Sequence, residues 1–262
     1  MKYLAVADFI SAWLKDYAIA SPSPGFVIGI SGGIDSALTS TLCARTGLPV
    51  VCVEMPIHQD PAQVSRAQHH IAWLQERYAN VSGARTDLTE TFDVMAAALP
   101  YCNSEQAQFL ALANLRARLR MSCLYYYAGI KSLLVAGTGN KIEDFGIGFY
   151  TKYGDGGVDI SPIADLTKSE VFAVSTQLGL NREILEAKPT DGLWGDNRSD
   201  EDQIGASYPE LEWAMEFDAS GSPERELSNR QQEVLAIFRR RNKANRHKME
   251  PIPVCLIPSN LR

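Results

Sequence analysis

The sequence predicts an α/β protein: a single domain over residues 1–262, with a doubly wound parallel sheet between helical layers in a three-layer, Rossmann-type arrangement. Three observations carry that prediction. Phe26, Val27 and Ile28 form an apolar run without polar alternation, as a strand buried on both faces requires. A Ser31-Gly32-Gly33 turn leads straight into a segment with helix-spaced apolar residues at Ile34, Ala37, Leu38 and Leu42. Val50 to Met55 is a second apolar run, so strand, helix and strand follow at short spacing and imply a right-handed βαβ unit.

The remaining elements follow in order. Leu4, Val6, Phe9, Ile10, Trp13, Leu14 and Tyr17 recur at helical spacing over residues 2–20, and the Ser-Pro-Ser-Pro-Gly stretch at 21–25 ends that helix. Gly47 closes the helix after the glycine turn, and residues 61–78 read as another helix, with Ile71, Trp73, Leu74 and Tyr78 inward. His58, His69 and His70 have no cysteine partners and read as surface or supporting residues. Residues 84–88 suggest a short third strand, with Thr89 or Thr91 capping a helix that runs to Leu99. The helix expected at 104–129 carries apolar groups on more than one face, which predicts burial on two sides, as a self-complementary contact with a second copy would give. Residues 133–140 read as the fourth strand.

Further on, residues 148–163 combine glycines, aromatics, Lys152 and two aspartates, a loop suited to recognising a ribose and a flat ring. Thr167 with Glu170 forms a capping box for a helix reaching Gly179. Residues 194–202 read as a mobile loop. Residues 222–241 read as the last helix, followed by a mostly solvated basic tail at 239–248.

In parallel sheets of this kind ligands bind beyond the carboxyl ends of the strands, where the glycine turn, Glu54-Met55-Pro56 and Gly137-Thr138 all fall. Adjacent glycines let several N–H groups approach a ligand, and the helix that follows adds its free donors and positive end; an anion, most naturally phosphate, belongs there. Asp35 is out of place in a pure anion site unless a cation lies between carboxylate and phosphate. The turn is therefore expected to hold a magnesium polyphosphate. No Gly-Lys-Ser/Thr follows, which excludes a Walker A loop.

The net charge of −6 argues against a nucleic-acid binder. Five scattered cysteines, never in C-x-x-C, read as small core residues in a reducing compartment. No apolar run approaches membrane-spanning length and no basic-then-apolar leader opens the chain. A cytoplasmic enzyme is expected, with no membrane or nucleic-acid partner.

The Ser-Gly-Gly-x-Asp-Ser pattern at 31–36 resembles the pyrophosphate loop of the N-type ATP pyrophosphatases, which split ATP into AMP and pyrophosphate. With Gly137-Thr138, Thr151 to Gly157, Asp159, Leu166-Thr167-Lys168, Lys188-Pro189-Thr190 and His247-Lys248, the chain resembles the ammonia-dependent NAD synthetases over nearly its whole length. The resemblance implies an adenine nucleotide alpha hydrolase-like fold, a homodimer, and ATP-dependent amidation of deamido-NAD with ammonia. It implies that Gly29, Ile30, Ser31, Gly32, Gly33, Ile34, Asp35 and Ser36 cradle ATP, with Thr138, Lys168 and Thr190 as further contacts. Asp35 and Glu143 would hold Mg²⁺, and Asp35 and Lys168 would act in catalysis. Arg118, Lys152, Asp159, His247 and Lys248 would bind deamido-NAD. Many relatives have Asp-His where this chain has Gly139-Asn140, and one extra residue precedes Gly148, so the second metal ligand is Glu143 or its neighbour Asp144.

Transfer of AMP onto the nicotinate carboxylate supplies a leaving group that ammonia can displace, and no covalent nucleophile is needed. Two other readings stay open: another N-type pyrophosphatase, tRNA-modifying or related to GMP synthetase, and a non-catalytic ATP-sensing module. The first would want a basic RNA-binding surface, paired cysteines or a glutaminase domain, and the second would not need Lys168 and a metal pair.

Overall fold

The computed structural model describes residues 1–187 and 199–262. Four parallel strands lie in the order β3-β2-β1-β4, with β1 at Phe26–Gly29, β2 at Val50–Glu54, β3 at Val81–Arg85 and β4 at Leu134–Val135. Phe26 pairs with Val50 on one side and Leu134 on the other, and Val50 pairs with Val81. Strand alternation sorts the side chains into two layers. Phe26, Ile28 and Ile30 enter one core with residues of α1 (Tyr3–Ala20), α2 (Ile34–Arg45), α3 (Pro61–Arg77) and α6 (Lys168–Gln177). Val27, Val51 and Val53 enter another with Leu124 and Ala128 of α5 (Glu105–Lys131). The expected doubly wound parallel sheet is present. A third cluster stands beside it, built from a π-helix at Lys141–Ile147, α9 (Tyr208–Ser220) and α10 (Asn229–Met249). Short helices α4 (Thr89–Ala98), α7 (Arg182–Leu185) and α8 (Asp200–Ile204) complete the list of α-helices among the described residues.

Several expectations need correction. The third strand begins at Val81, not Ala84. Gly83 lies inside the strand, where a Cβ would lie 2.8 Å from Ile71, so the bare backbone is what lets α3 pack on it. The fourth strand is two residues long rather than eight. After Val135 only an isolated bridge from Ala136 to Ile160 continues it, and Gly137 passes so close to Val158 that a Cβ would be 2.8 Å away.

The last helix starts behind the Ser228 capping box and runs to Met249, so the basic segment is helix and not tail. The segment is mostly exposed, with Arg239 paired to Asp218 and Glu224, Arg246 to Glu250 one turn on, and Arg241 donating to the Gln203 and Ile204 carbonyls. Helix α5 buries only Ala113 and Ala128 fully, while Leu110, Tyr126 and Ile130 are more than half exposed; within this chain its second side is uncovered. Of the cysteines, Cys43 and Cys52 are core residues but Cys255 is exposed. The mobile loop expected at 194–202 lies largely outside the described residues, and its last four residues cap and open α8. Among the described residues no helix is long and apolar enough to cross a membrane.

His58 and His69 are exposed and paired with Asp93 and Glu183, as a surface reading anticipates, but His70 is wholly buried. Its Nε2 lies 2.9 Å from Ser40 Oγ, its ring stacks on Trp73 with centroids 5.7 Å apart, and its Nδ1 has no partner. Burial lowers its pKa to about 4, against 6.5 for a free imidazole. Between those values the unfolded chain binds a proton at this ring that the folded chain refuses, so the contribution of His70 is constant above pH 6.5 and turns against folding as pH falls towards 4. We expect this group to withdraw about 3 kcal/mol across that window. Urea unfolding of the parent and of His70→Gln at pH 7.5 and pH 4.5 checks it: the variant loses less stability on acidification, and parallel losses would refute the assignment.

Candidate active site

The turn between β1 and α2 is shaped by its own hydroxyls. Ser31 N–H donates to Ser36 Oγ (3.3 Å), Ser36 Oγ–H to the Gly33 carbonyl (3.0 Å), and Gly33 N–H to Ser31 Oγ (3.2 Å). Gly32 sits at φ +80°, and a Cβ there would lie 2.6 Å from the Gln63 carbonyl oxygen of α3, so both conformation and space demand glycine. The free N–H groups of the first turn of α2 are thereby held at the sheet's carboxyl edge.

Behind this turn three elements meet at one ammonium. Lys168, 3% exposed, starts α6 and is aimed by the expected Thr167/Glu170 capping box. Its Nζ donates to Asp35 Oδ2 at 2.6 Å and to Glu143 Oε1 at 3.0 Å. Burial works against the lysine's charge, but the adjoining Asp35 and Glu143 carboxylates outweigh it and raise its pKa well above the usual lysine range. Burial would likewise push Glu143 up; Lys168 and the Tyr208 hydroxyl pull it below the ordinary range. For Asp35 burial prevails over Lys168 and the pKa is raised.

Two supporting residues were not legible beforehand. Asn140, fully buried, caps the π-helix through Oδ1 (3.1 Å to the N–H groups of Ile142 and Glu143) and donates from Nδ2 to Asp35 Oδ1 at 3.2 Å. Its signal was the usual one for a cap, an asparagine just before a helix. Tyr208 donates to Glu143 Oε1 at 2.5 Å. Burial and then the Glu143 and Asp200 charges push the phenol far up, so it remains a donor. Nothing local marks Tyr208, which lies 65 residues beyond Glu143.

A cavity of about 210 Å³ is lined by residues 31–36, Thr138, Glu143, Asp144, Asp155, Lys168 and Arg66. The Asp144 N–H donates to the Asn140 carbonyl at 2.9 Å, but its carboxylate accepts no hydrogen bond among the described residues. Gly139 makes room for it, because a Cβ there would fall 2.0 Å from Asp144 Oδ2. Burial, then the charges of Glu143, Asp155 and Asp35, push its carboxyl well above the usual range. A larger, more apolar cavity of about 630 Å³ adjoins, sharing Ser31, Thr138, Tyr150 and Asp155 and reaching Gly29, Ile30, Met55, Leu124 and Lys248.

The structure thus brings together residues 29–36, Thr138, Glu143 and Lys168, with Lys248 at the larger cavity, where its Nζ donates to the Gly148 and Tyr150 carbonyls. Thr190 lies outside the described residues. Arg118, Lys152, Asp159 and His247 line neither cavity. Arg118 donates to the Lys152 carbonyl, Lys152 Nζ to the His247 carbonyl, and Asp159 accepts from Tyr125 and the Val135 N–H.

Comparison with known proteins places this geometry. The family model for NAD synthase matches residues 6–252. An NH(3)-dependent NAD(+) synthetase of Methanosarcina mazei is 39% identical over 256 residues, 95% of each chain, and one of Archaeoglobus fulgidus is 36% identical over 98% of each. Among solved structures, the NMN synthetase of Francisella tularensis superposes with a TM-score of 0.81 at 30% identity over 99% of both chains. The NH3-dependent NAD synthetase of Campylobacter jejuni, in complex with nitrate, gives 0.78 at 26% identity over 98% of this chain and all of its own. The chain belongs to the NAD synthase family.

Proposed function

We propose that this chain, acting as one functional domain over residues 1–262, converts deamido-NAD, ammonia and ATP into NAD, AMP and pyrophosphate. The observation that carries the reading is the glycine turn at the carboxyl edge of β1, with Asp35 bridged through Lys168 to Glu143 beside a second cavity large enough for an acceptor. The acceptor's carboxylate oxygen attacks the α-phosphorus, pyrophosphate leaves, and ammonia then displaces AMP. Positioning and charge stabilisation suffice. The N–H groups of the turn face the phosphates, and Lys168, with two of its three donors committed to carboxylates, has one left for them. Thr138 and Thr190 complete the ATP contacts in this reading.

Magnesium belongs to the same proposal, and the residues fit it. Asp35, Glu143 and Asp144 face one cavity against a single ammonium, and the Asp144 carboxylate accepts no hydrogen bond among the described residues. No group of three or more His, Cys, Asp or Glu among the described residues is set to hold a metal by itself. Asp35 with Glu143 or Asp144 would therefore share the ion with phosphate oxygens, the usual arrangement for Mg²⁺. When bound, the ion would neutralise charge on the polyphosphate.

Lys248 at the larger cavity would meet the acceptor. Arg118, Lys152, Asp159 and His247 lie beside the uncovered face of α5, which fits an acceptor site completed by a second copy. Exposed Val94 and Met95 on α4 with Tyr126 and Ile130 on α5 supply the apolar surface for such a homodimer. The proposal includes a cytoplasmic location, supported by five free cysteines.

One observation favours a second acceptor: the Francisella structure carries the name NMN synthetase and matches this chain at higher identity than the Campylobacter enzyme. The acceptor would then be the mononucleotide counterpart of deamido-NAD.

Pyrophosphate release with ammonium and each acceptor in turn tests the reading. Release should require ATP, an acceptor and magnesium, stop with EDTA, and run faster with deamido-NAD. A faster rate with the mononucleotide selects the second acceptor, release that ignores both rejects amidation, and no release with any acceptor leaves an ATP sensor. Light scattering should give about twice the 28.8 kDa chain mass; a monomer at micromolar concentration would remove the dimer.

A further inference from the structure

The smaller cavity has an unequal charge balance. Asp35, Glu143, Asp144, Asp155 and Asp200 line it, and the charge of Lys168 is committed to the first two. A polyphosphate entering there needs a positive charge that no carboxylate has already taken. Arg66 is the side chain that meets this description.

Arg66 lies on α3, half-buried, and lines the same cavity as the turn at 31–36. Among the described residues its one hydrogen-bond partner is the Gly32 carbonyl, to which Nε donates at 3.4 Å, long for an N–H···O bond. No carboxylate among the described residues lies within ion-pair distance of it, whereas Arg45, Arg182, Arg230, Arg239 and Arg246 are each paired with an acid. Among the described residues, the two terminal NH₂ groups are therefore uncommitted. The backbone around Arg66 is closely fitted to the turn: Cβ at Gly32 would come within 2.6 Å of the Gln63 carbonyl and 3.3 Å of Arg66 Cβ. A helix packed directly against the turn thus carries the guanidinium to the cavity wall.

We propose that Arg66 is a binding residue for the leaving pyrophosphate, gripping the terminal phosphates of ATP through its planar pair of NH₂ donors. The inference rests on the amide-forming reaction of the preceding subsection. As the acceptor's carboxylate oxygen bonds to the α-phosphorus, the bond from that phosphorus to the α,β-bridging oxygen breaks, and the bridging oxygen leaves with the electron pair. Negative charge grows on the pyrophosphate, and a guanidinium already in place opposes it without rearrangement. Lys168 and Arg66 then divide the work: the lysine fixes Asp35 behind the turn, and the arginine holds the departing group in front of it.

The test is calorimetric binding of inorganic pyrophosphate and, separately, of AMP to the full chain in magnesium buffer, for the parent, Arg66→Gln and Arg66→Lys. Arg66→Gln keeps a donor for the Gly32 carbonyl and loses the charge; Arg66→Lys keeps the charge and loses the fork. We expect pyrophosphate to bind at least about 10-fold more weakly to Arg66→Gln and to an intermediate degree to Arg66→Lys, with AMP within about 2-fold of the parent for both. Unchanged pyrophosphate binding would overturn the proposal. So would equal weakening of both ligands, which marks a structural tie between α3 and the turn, or a parent that binds no pyrophosphate. If Arg66→Gln does not fold, the Arg66→Lys comparison decides by the same criteria. The measurement needs no turnover, so it can fail while pyrophosphate release with an acceptor still supports amidation, and the reverse also holds.

Discussion

The Lys168 ammonium, buried between the Asp35 and Glu143 carboxylates, is the interaction on which the site depends. It joins the start of α2, the π-helix and the start of α6, three elements from two hydrophobic clusters. Burying three charges costs several kcal/mol per ion, and only close geometry with further hydrogen bonds offsets it. Here Asn140 donates to Asp35, and Tyr208 to Glu143. Removing one member of such a group is far more damaging than never having had it, because the partners are left charged in low dielectric. The same arrangement fixes the orientation of the Asp35 side chain at the cavity, and in the proposed reaction little reorganisation would be needed.

The elements around this triad follow from that constraint. A π-helix turn widens the helix by one residue and is often found at functional sites. At Lys141–Ile147 it lets Asn140 bond both the backbone of the turn and Asp35, while Glu143 reaches Lys168 and Tyr208. Gly139 leaves space for the Asp144 carboxylate in the cavity. Adjacent to it, the apolar cavity between the sheet edge and α5 is suited to flat rings, and the two cavities share Thr138 and Ser31, so a nucleotide can lie across both. Membership of the NAD synthase family gives that geometry its chemical direction.

Much of this was legible in the sequence where local chemistry decides structure. The turn at 31–36, the capping box at Thr167 and Glu170, and the unbroken apolar strands each state their conformation within a few residues. Long-range partners were less accessible. Ser82 and Gly83 obscured a strand whose register is set by Val81 against Val50 and by the approach of Ile71. The basic run from Arg239 is largely exposed, as a charged run suggests, but it reads as a tail because the acids that pair Arg239, Asp218 and Glu224, come from another helix and a connecting turn. The sequence leaves His70 between a surface and a supporting role, because the Ser40 hydroxyl that decides for the second lies 30 residues away. Tyr208 gave no signal, since its role exists only once α9 is folded against the π-helix.

The central claim is that the buried ammonium both holds the site together and readies Asp35 for ATP. Lys168→Met keeps the length of the side chain and removes the charge, and the most direct measurement pairs its unfolding free energy with its rate of pyrophosphate release at saturating substrates. The account predicts a loss of about 3–5 kcal/mol in stability and a fall in rate of about 10²–10³-fold; adding Asp35→Asn should restore much of the stability and none of the rate. A Lys168→Met chain as stable and as fast as the parent would contradict it.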